Sequence, residues 1–461
     1  MGHQLDDSDT SGAFQHNDQS GQANAPGEVL FSIGGGLVGG LLGAAFVVTV
    51  TTMIKELLAL ITRQGNWVMV AAPLAGIALA VLILQLVAHG QAAQSVIVDS
   101  EISRRFSDWL RFPASAVRAD LTADVVRNAG SEENFPWRLA PIRAAAIIST
   151  VGLGAPMGTE SPAAHMGVAC GAAIELGGGR WRRLARHGAV GGGAAGVAAL
   201  MGLPLVGMAF MLELGRRNRA PISLPRVLAA ACGAVVGWGF NVILNLSLIR
   251  LIVPAIAPSD LKQALATAAL VGAVSGVLCS VTGAAIYGAR SWSAGPVAKI
   301  LTGGAVLFGC VMVIRALASP AAAIGPGAGA VSWAEGASAS TWTLIAVAGL
   351  RAVATTAAVT AGGCGGLFVP FLSIGDLCGR ALAPSLGATS DLAAAAGSAG
   401  AIAGGYRLPL TAIAMVITLG GPASARLTCV ASVAFAAAAG VAAAYALDQL
   451  KARRLESRAL A

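Results

Sequence analysis

The amino-acid sequence predicts an all-α protein that crosses a membrane many times and is built from two related halves. Three observations predict it. The first is charge: 461 residues carry only 30 Lys and Arg and 22 Asp and Glu, or 11%, with a mean hydropathy of +0.74, where soluble domains average about 25% charged residues. The second is a series of uncharged stretches of the length a membrane helix needs, about 20 apolar residues. The third is a pair of motifs that recur in the same order at nearly the same spacing. A soluble globular protein, a disordered chain and a collagen-like repeat are excluded.

From the N-terminus, residues 1–27 are polar, without Lys or Arg, and contain one aromatic residue. Such a segment cannot bury a core and is expected to be a disordered tail. It has neither the basic start nor the apolar core of a signal peptide. A membrane domain is expected over 28–450, and 451–461 form a basic tail. No Asp, Glu, Lys or Arg occurs in 29–54, 64–98, 188–212, 227–249, 263–289, 352–375 or 427–447. Ala and Gly dominate these stretches, and small residues let helices approach closely in lipid. None alternates as a transmembrane β-strand would.

The seven Cys lie almost entirely in apolar stretches without metal-ligand spacing, and read as small buried hydrophobes. No metal or cofactor is expected. The formal charge of +8 comes from basic loops such as Arg216-Arg217-Asn218-Arg219 and from the C-terminal tail. Basic loops beside membrane spans face the cytoplasm, so cytoplasmic termini and a bacterial inner membrane are expected. Nucleic acid is a poor partner for basic residues not interleaved with aromatics.

The repeat is the most informative feature. Gly158-Thr159-Glu160-Ser161-Pro162 opens a segment ending in Cys170-Gly171, and Gly366-Leu367-Phe368-Val369-Pro370 opens one ending in Cys378-Gly379. Both fit G-x-x-x-P-x-x-x-x-G-x-x-C-G, 208 residues apart. Leu203-Pro204-Leu205 and Leu408-Pro409-Leu410 follow them, 205 residues apart. Two halves, about 28–250 and 251–450, are predicted. Gly-x-x-x-Pro reads as a loop followed by a helix that begins within the membrane, because Pro suits a first turn whose N–H has no intrahelical partner. Such a start presents free N–H groups and a partial positive charge, and so offers a site to an anion. Two of them converging near the midplane is the plan of repeat-built transporters.

Glu160 lies inside the first motif. Ionisable groups at membrane depth are costly and mark substrate or proton pathways. At a helix start its carboxylate would compete with an anion for the same N–H groups, which makes it a gate sensitive to pH and anion concentration. His165 reads as a packing or polar bystander, and Asp376 and Glu175 as helix-end acids. The G-x-G-x-x-G match at Gly191–Gly196 and the run Gly34–Gly39 lack strand–helix alternation and read as close helix packing.

At these residues the sequence resembles the CLC chloride channels and proton-coupled chloride antiporters. That family carries G-[KR]-E-G-P with a gating glutamate, matched here by Gly158–Pro162 with two departures, and G-x-F-x-P, matched fully by Gly366–Pro370. The resemblance spans roughly 137–450. It implies inverted repeats of tilted and broken helices and a homodimer with one pore per subunit; the soluble CBS pair that follows the membrane domain in some members is not expected here. It implies a gate at Glu160 and an anion site at Gly158, Thr159, Glu160, Ser161, Gly366, Leu367, Phe368 and Val369, with a hydroxyl from Tyr445 in the last helix. The family's upstream serine has only a positional candidate in Gly90–Ser95, and the charged stretch 99–136 is longer than the family pattern leads one to expect. The antiporters' intracellular proton glutamate aligns with Leu214, beside Glu213, which favours a channel or uncoupled transporter with Glu213 as the substitute proton group. Chloride or a similar anion is the expected cargo. Chloride/proton exchange, fluoride or nitrate carriage, an intramembrane enzyme using Glu160 and His165, and a membrane scaffold remain alternatives.

Overall fold

A computed structural model describes residues 26–85, 121–246, 256–420 and 426–460. Gly90–Ser95 and the charged stretch up to residue 120 lie outside them. The described chain is helical. The first half contains α1 (Pro26–Thr62), α2 (Asn66–Gln85), α3 (Leu121–Arg127), α4 (Ala140–Gly152), α5 (Glu160–Ala172), α6 (Gly179–Met201), α7 (Pro204–Arg217) and α8 (Leu224–Leu244). The second contains α9 (Leu261–Ser291), α10 (Pro296–Leu317), α11 (Pro320–Ala323), α12 (Ala328–Gly336), α13 (Thr341–Thr360), α14 (Phe368–Leu382), α15 (Ser390–Tyr406), α16 (Pro409–Leu419) and α17 (Leu427–Leu460). Helix α1 begins at Pro26, two residues before the expected edge of the membrane domain, and the basic tail continues α17 to Leu460.

Among the described residues, seven helices are long and apolar enough to cross a membrane: α1, α2, α8, α9, α10, α13 and α17. Between them lie shorter, broken pieces. Gly202 takes a left-handed conformation (φ 77°) that ends α6, and Pro204 then opens α7 at a position needing no N–H. The Ser223, Ser319 and Ser340 hydroxyls accept from Arg226, Ala322 and Thr343 N–H groups and so start α8, α11 and α13.

The two halves are inverted copies. Helix α6 is wrapped by α1, α5 and α8, and α15 by α9, α14 and α17. The same glycines make the same crossings. A Cβ on Gly167 of α5 would meet the Gly192 carbonyl oxygen of α6 at 2.0 Å, and one on Gly375 of α14 would meet that of Gly397 in α15 at 2.3 Å. Only glycine allows backbones this close, which is why Gly and Ala fill the apolar stretches. The Gly191–Gly196 run lies within α6, where Gly191 packs on Gly36 of α1.

Candidate functional site

The two motifs form one structure. Helix α5 starts at Glu160 and α14 at Phe368, and the residues preceding them, Thr159 and Leu367, share one backbone conformation (φ −109°, ψ −7° and φ −119°, ψ 0°). Pro162 and Pro370 occupy first-turn positions whose N–H would have been an orphan. Immediately upstream the halves pair: Gly158 N–H donates to the Gly366 carbonyl and Gly366 N–H to the Gly158 carbonyl, each at 2.7 Å, as an isolated antiparallel bridge. Reciprocal bonding of equivalent residues is the signature of a two-fold relation, so the pseudo-symmetry axis passes between these glycines.

That bridge corrects one expectation. The N–H groups of Gly158 and Gly366 are spent on each other and are not free to hold an anion. Leu367 N–H is also engaged, donating to Tyr406 Oη at 2.8 Å. The Glu160 carboxylate approaches the N–H groups of Thr159, of Val369 and of its own residue. Glu160 is 2% exposed. Its Oε1 accepts from the Thr159 hydroxyl at 3.3 Å, while Oε2, lying against Gly158, completes no hydrogen bond. A carboxylate of the first half therefore sits at the helix starts of both halves, incompletely satisfied.

Tyr445 is the second correction. It lies in the middle of α17, which runs unbroken for 34 residues, so no helix start forms there. Its side chain is 54% exposed and its ring carries the Arg407 guanidinium 4.5 Å above it. The tyrosine at the centre is Tyr406, the last residue of α15, 8% exposed. Its ring stacks on Phe368 at 4.0 Å, Phe368 in turn leans on Phe210 of α7 at 5.2 Å, and Phe371 meets Tyr406 edge-on at 5.6 Å. The Tyr406 hydroxyl also approaches Ser161, whose own buried Oγ completes no hydrogen bond. The signal for Tyr406 was its place three residues before Pro409, where the repeat breaks the chain.

The remaining acids are held elsewhere. Glu213, in α7, caps the other half: Oε1 accepts Leu410 N–H at 2.8 Å, and Oε2 accepts Thr411 N–H at 2.7 Å and the Thr411 hydroxyl at 2.6 Å, at the start of α16. Its neighbour Leu214 is buried. Asp376 is buried against Arg380 at 2.9 Å, and Arg380 also reaches Asp391 and Glu335. Glu175 accepts from the Trp137 indole at 3.3 Å. His165 is buried with Nε2 3.0 Å from Arg143 Nη1; a guanidinium only donates, so Nε2 accepts.

Two inverted repeats whose broken helices start together at the centre define a polytopic membrane protein of the CLC fold. A family model described as voltage gated chloride channel matches residues 109–443, and the chain belongs to that family. Among curated relatives, the H(+)/Cl(−) exchange transporter ClcA of Cronobacter sakazakii is 27% identical over 296 residues, covering 61% of this chain and 62% of that protein. ClcA of Yersinia pestis is 26% identical over 299 residues, covering 61% of each. The chain thus matches about three fifths of the length of these relatives. Solved structures share the fold: a slow cyanobacterial Cl−/H+ antiporter (TM-score 0.68, 22% identity, 92% of this chain and 95% of that one) and a CLC-type fluoride/proton antiporter (TM-score 0.62, 19% identity, 91% and 94%).

Proposed function

We propose that this protein carries chloride or a similar small anion across a bacterial inner membrane, with Glu160 as the gate. The observation that carries this is the Glu160 carboxylate itself, buried against the N–H groups of Thr159 and Val369 from opposite halves. It occupies the place an anion would take, and partial charges of this kind hold an ion weakly enough to release it. Protonation or rotation of Glu160 frees that place. Thr159, Ser161, Phe368 and Val369 line it.

Coupling to protons has two readings. Leu214 cannot carry a proton, and Glu213 is committed to three bonds at the start of α16, which supports channel-like conduction with little or no proton movement. Chloride/proton exchange is the second reading, favoured by relatives named as exchangers. A homodimer with cytoplasmic termini belongs to the same proposal.

The test is chloride efflux from liposomes with proton movement recorded simultaneously, at pH 4.5 and 7.5. Wild-type flux should rise with acid. Glu160→Gln should keep its flux and lose most of that rise. A folded Glu160→Gln protein without flux removes Glu160 from the gate. Uphill proton pumping that vanishes in Glu213→Gln removes the channel-like reading.

A further inference from the structure

Four arginines stand within seven residues where α6 begins, Arg180, Arg182, Arg183 and Arg186, and all four are exposed. Two general rules are broken there. Cations are unfavourable at a helix start, whose partial charge is positive, and α6 has no acid in its first turn. Like charges three or four residues apart on a helix repel, and Arg180 and Arg183, Arg183 and Arg186, and Arg182 and Arg186 are so spaced. The inverted copy keeps the rule: α15 opens with Asp391 in its first turn. Among the described residues, none of the four arginines forms an ion pair. The acids packed nearby are engaged elsewhere, Glu28 with His187 at 3.1 Å, Glu132 with Arg226 and Glu175 with the Trp137 indole at 3.3 Å. Local rules broken without compensation inside the fold mark a functional surface, and here the missing component is negative charge.

Its position identifies the source. Helix α6 is buried from His187 onward and runs into the uncharged stretch 188–212, so the arginines stand at the membrane edge. The Arg183 guanidinium lies 5.9 Å over the ring of Phe31 in α1, which places the patch on the side where α1 begins. That is the side read as cytoplasmic, where the leaflet carries anionic lipid. Two apolar side chains flank the arginines and are bare: Leu176, 65% exposed, and Trp181, 48% exposed. Gly177 seats the indole, since a Cβ there would come within 2.7 Å of it. Exposed apolar anchors offer nothing to a free ion in water, whereas an indole belongs at headgroup level.

We infer that Arg180, Arg182, Arg183 and Arg186 bind the phosphates of anionic phospholipids, with Leu176 and Trp181 entering the headgroup region beside them. Guanidinium groups suit this task, because each can grip a phosphate through two parallel hydrogen bonds. Bound lipid relieves the mutual repulsion of the arginines and completes the start of α6. That helix holds α5 through the Gly167–Gly192 and Gly171–Gly188 crossings, so occupancy stabilises the fold. The inference goes beyond the transport reading and stands whatever the cargo.

The test uses the purified full-length protein in neutral detergent, titrated with dioctanoyl phosphatidylglycerol and followed by thermal unfolding. Dioctanoyl phosphatidylcholine and sodium phosphate serve as the neutral lipid and the free anion. Phosphatidylglycerol should raise the unfolding midpoint, and the other two should not. Arg182→Gln combined with Arg183→Gln should weaken the apparent lipid affinity roughly 25-fold, about fivefold for each arginine near a membrane surface. Arg180→Gln combined with Arg186→Gln should do the same, and carries the test if the first pair does not fold. Arg216→Gln combined with Arg219→Gln removes equal charge from another basic loop and should stay within about twofold of wild type. No response of the wild type to phosphatidylglycerol, or unchanged affinity in both patch variants, overturns the inference. An equal loss in the Arg216 and Arg219 variant does so too, by reducing the effect to net charge. So does a midpoint shift with phosphate that matches the lipid's, which would make the patch a site for free anions.

Discussion

Equivalent positions in the two halves carry different chemistry on one scaffold. Arg143 on α4 and Arg351 on α13 stand 208 residues apart, as do His165 and Ser373 on the site helices and Glu160 and Phe368 at their first residues. Both arginines are 1% exposed and both reach the equivalent residue across the crossing: Arg143 to His165 at 3.0 Å, Arg351 to Ser373 at 3.3 Å. Their counter-charges differ. Arg143 is paired with Asp124 at 2.6 Å. Arg351 donates instead to the carbonyls of Ala322 at 2.7 Å and Gly325 at 3.0 Å. The first half holds the Glu160 carboxylate and an arginine paired with an acid. The second half holds a phenyl ring and an arginine whose hydrogen-bond partners are all neutral. Symmetry of the backbone thus leaves equivalent arginines with different partners, an acid for Arg143 and neutral groups for Arg351.

The largest effect that breaks this comparison is expected at Arg143. Arg143→Leu leaves the buried Asp124 with the exposed Arg127 as its remaining ion-pair partner among the described residues, a change that costs up to about 3–5 kcal/mol. Thermal unfolding in detergent should show a severe loss, largely recovered by adding Asp124→Leu. A double variant as unstable as the single one would mean the ion pair is not what the first half depends on.

Arg351→Leu strands no carboxylate. Its fold cost is that of unmade bonds to neutral groups, roughly 1–3 kcal/mol. Its effect on the ion is the sharper readout. Ser373 lies five residues after Phe368, so an anion at the start of α14 sits roughly 8 Å away along the helix. At an effective dielectric of about 20, one charge over that distance contributes on the order of 2 kcal/mol, or roughly 30-fold in affinity. Chloride titration should show that loss for Arg351→Leu and recovery in Arg351→Lys. Equal affinity in all three proteins would remove the electrostatic asymmetry.

The smallest effect distinguishes the two bridge glycines. A Cβ on Gly158 would lie 2.4 Å from Glu160 Oε2, the mobile end of the gate, whereas one on Gly366 would meet Pro162 Cδ at 3.1 Å. Gly158→Ala should dislodge the carboxylate and raise neutral-pH flux a few-fold, as a partial Glu160→Gln. Gly366→Ala should not. Liposome flux at pH 7.5 compares them directly, and the same rise in both variants would sever the link between Gly158 and the gate.

Much of this architecture was legible because lipid permits few alternatives. Uncharged stretches marked α1, α2, α8, α9 and α17, whereas 188–212 and 352–375 run across the breaks between α6 and α7 and between α13 and α14; the spacing of Gly158–Pro162 and Gly366–Pro370 located the centre. Arg143 and Arg351 were not singled out, because a charge just before an uncharged stretch (144–159 and 352–375) looks like a helix end until the fold gives it partners. Tyr445 misled because whether a helix breaks near it depends on packing that residue types alone do not encode; α17 simply continues. The bridge was illegible for a related reason. A glycine suited to a close approach looks the same whether it approaches an ion or another glycine. Glu213 reads as a proton group by position, and only tertiary structure reveals it as the cap of a helix 197 residues away.

The bridge between Gly158 and Gly366 acts as a rivet. It joins the two halves at their common axis by two short backbone bonds, at the depth where a rocking carrier would have to part them. In lipid such bonds have no water to replace them, so a large swing of one half against the other would leave four backbone groups bare. Under the proposed reading, opening then falls to the Glu160 side chain turning beside this seam rather than to travel of one half against the other. The seam divides labour in that proposal: the backbone holds the two helix starts in register, and the Glu160 carboxylate beside them is left to move.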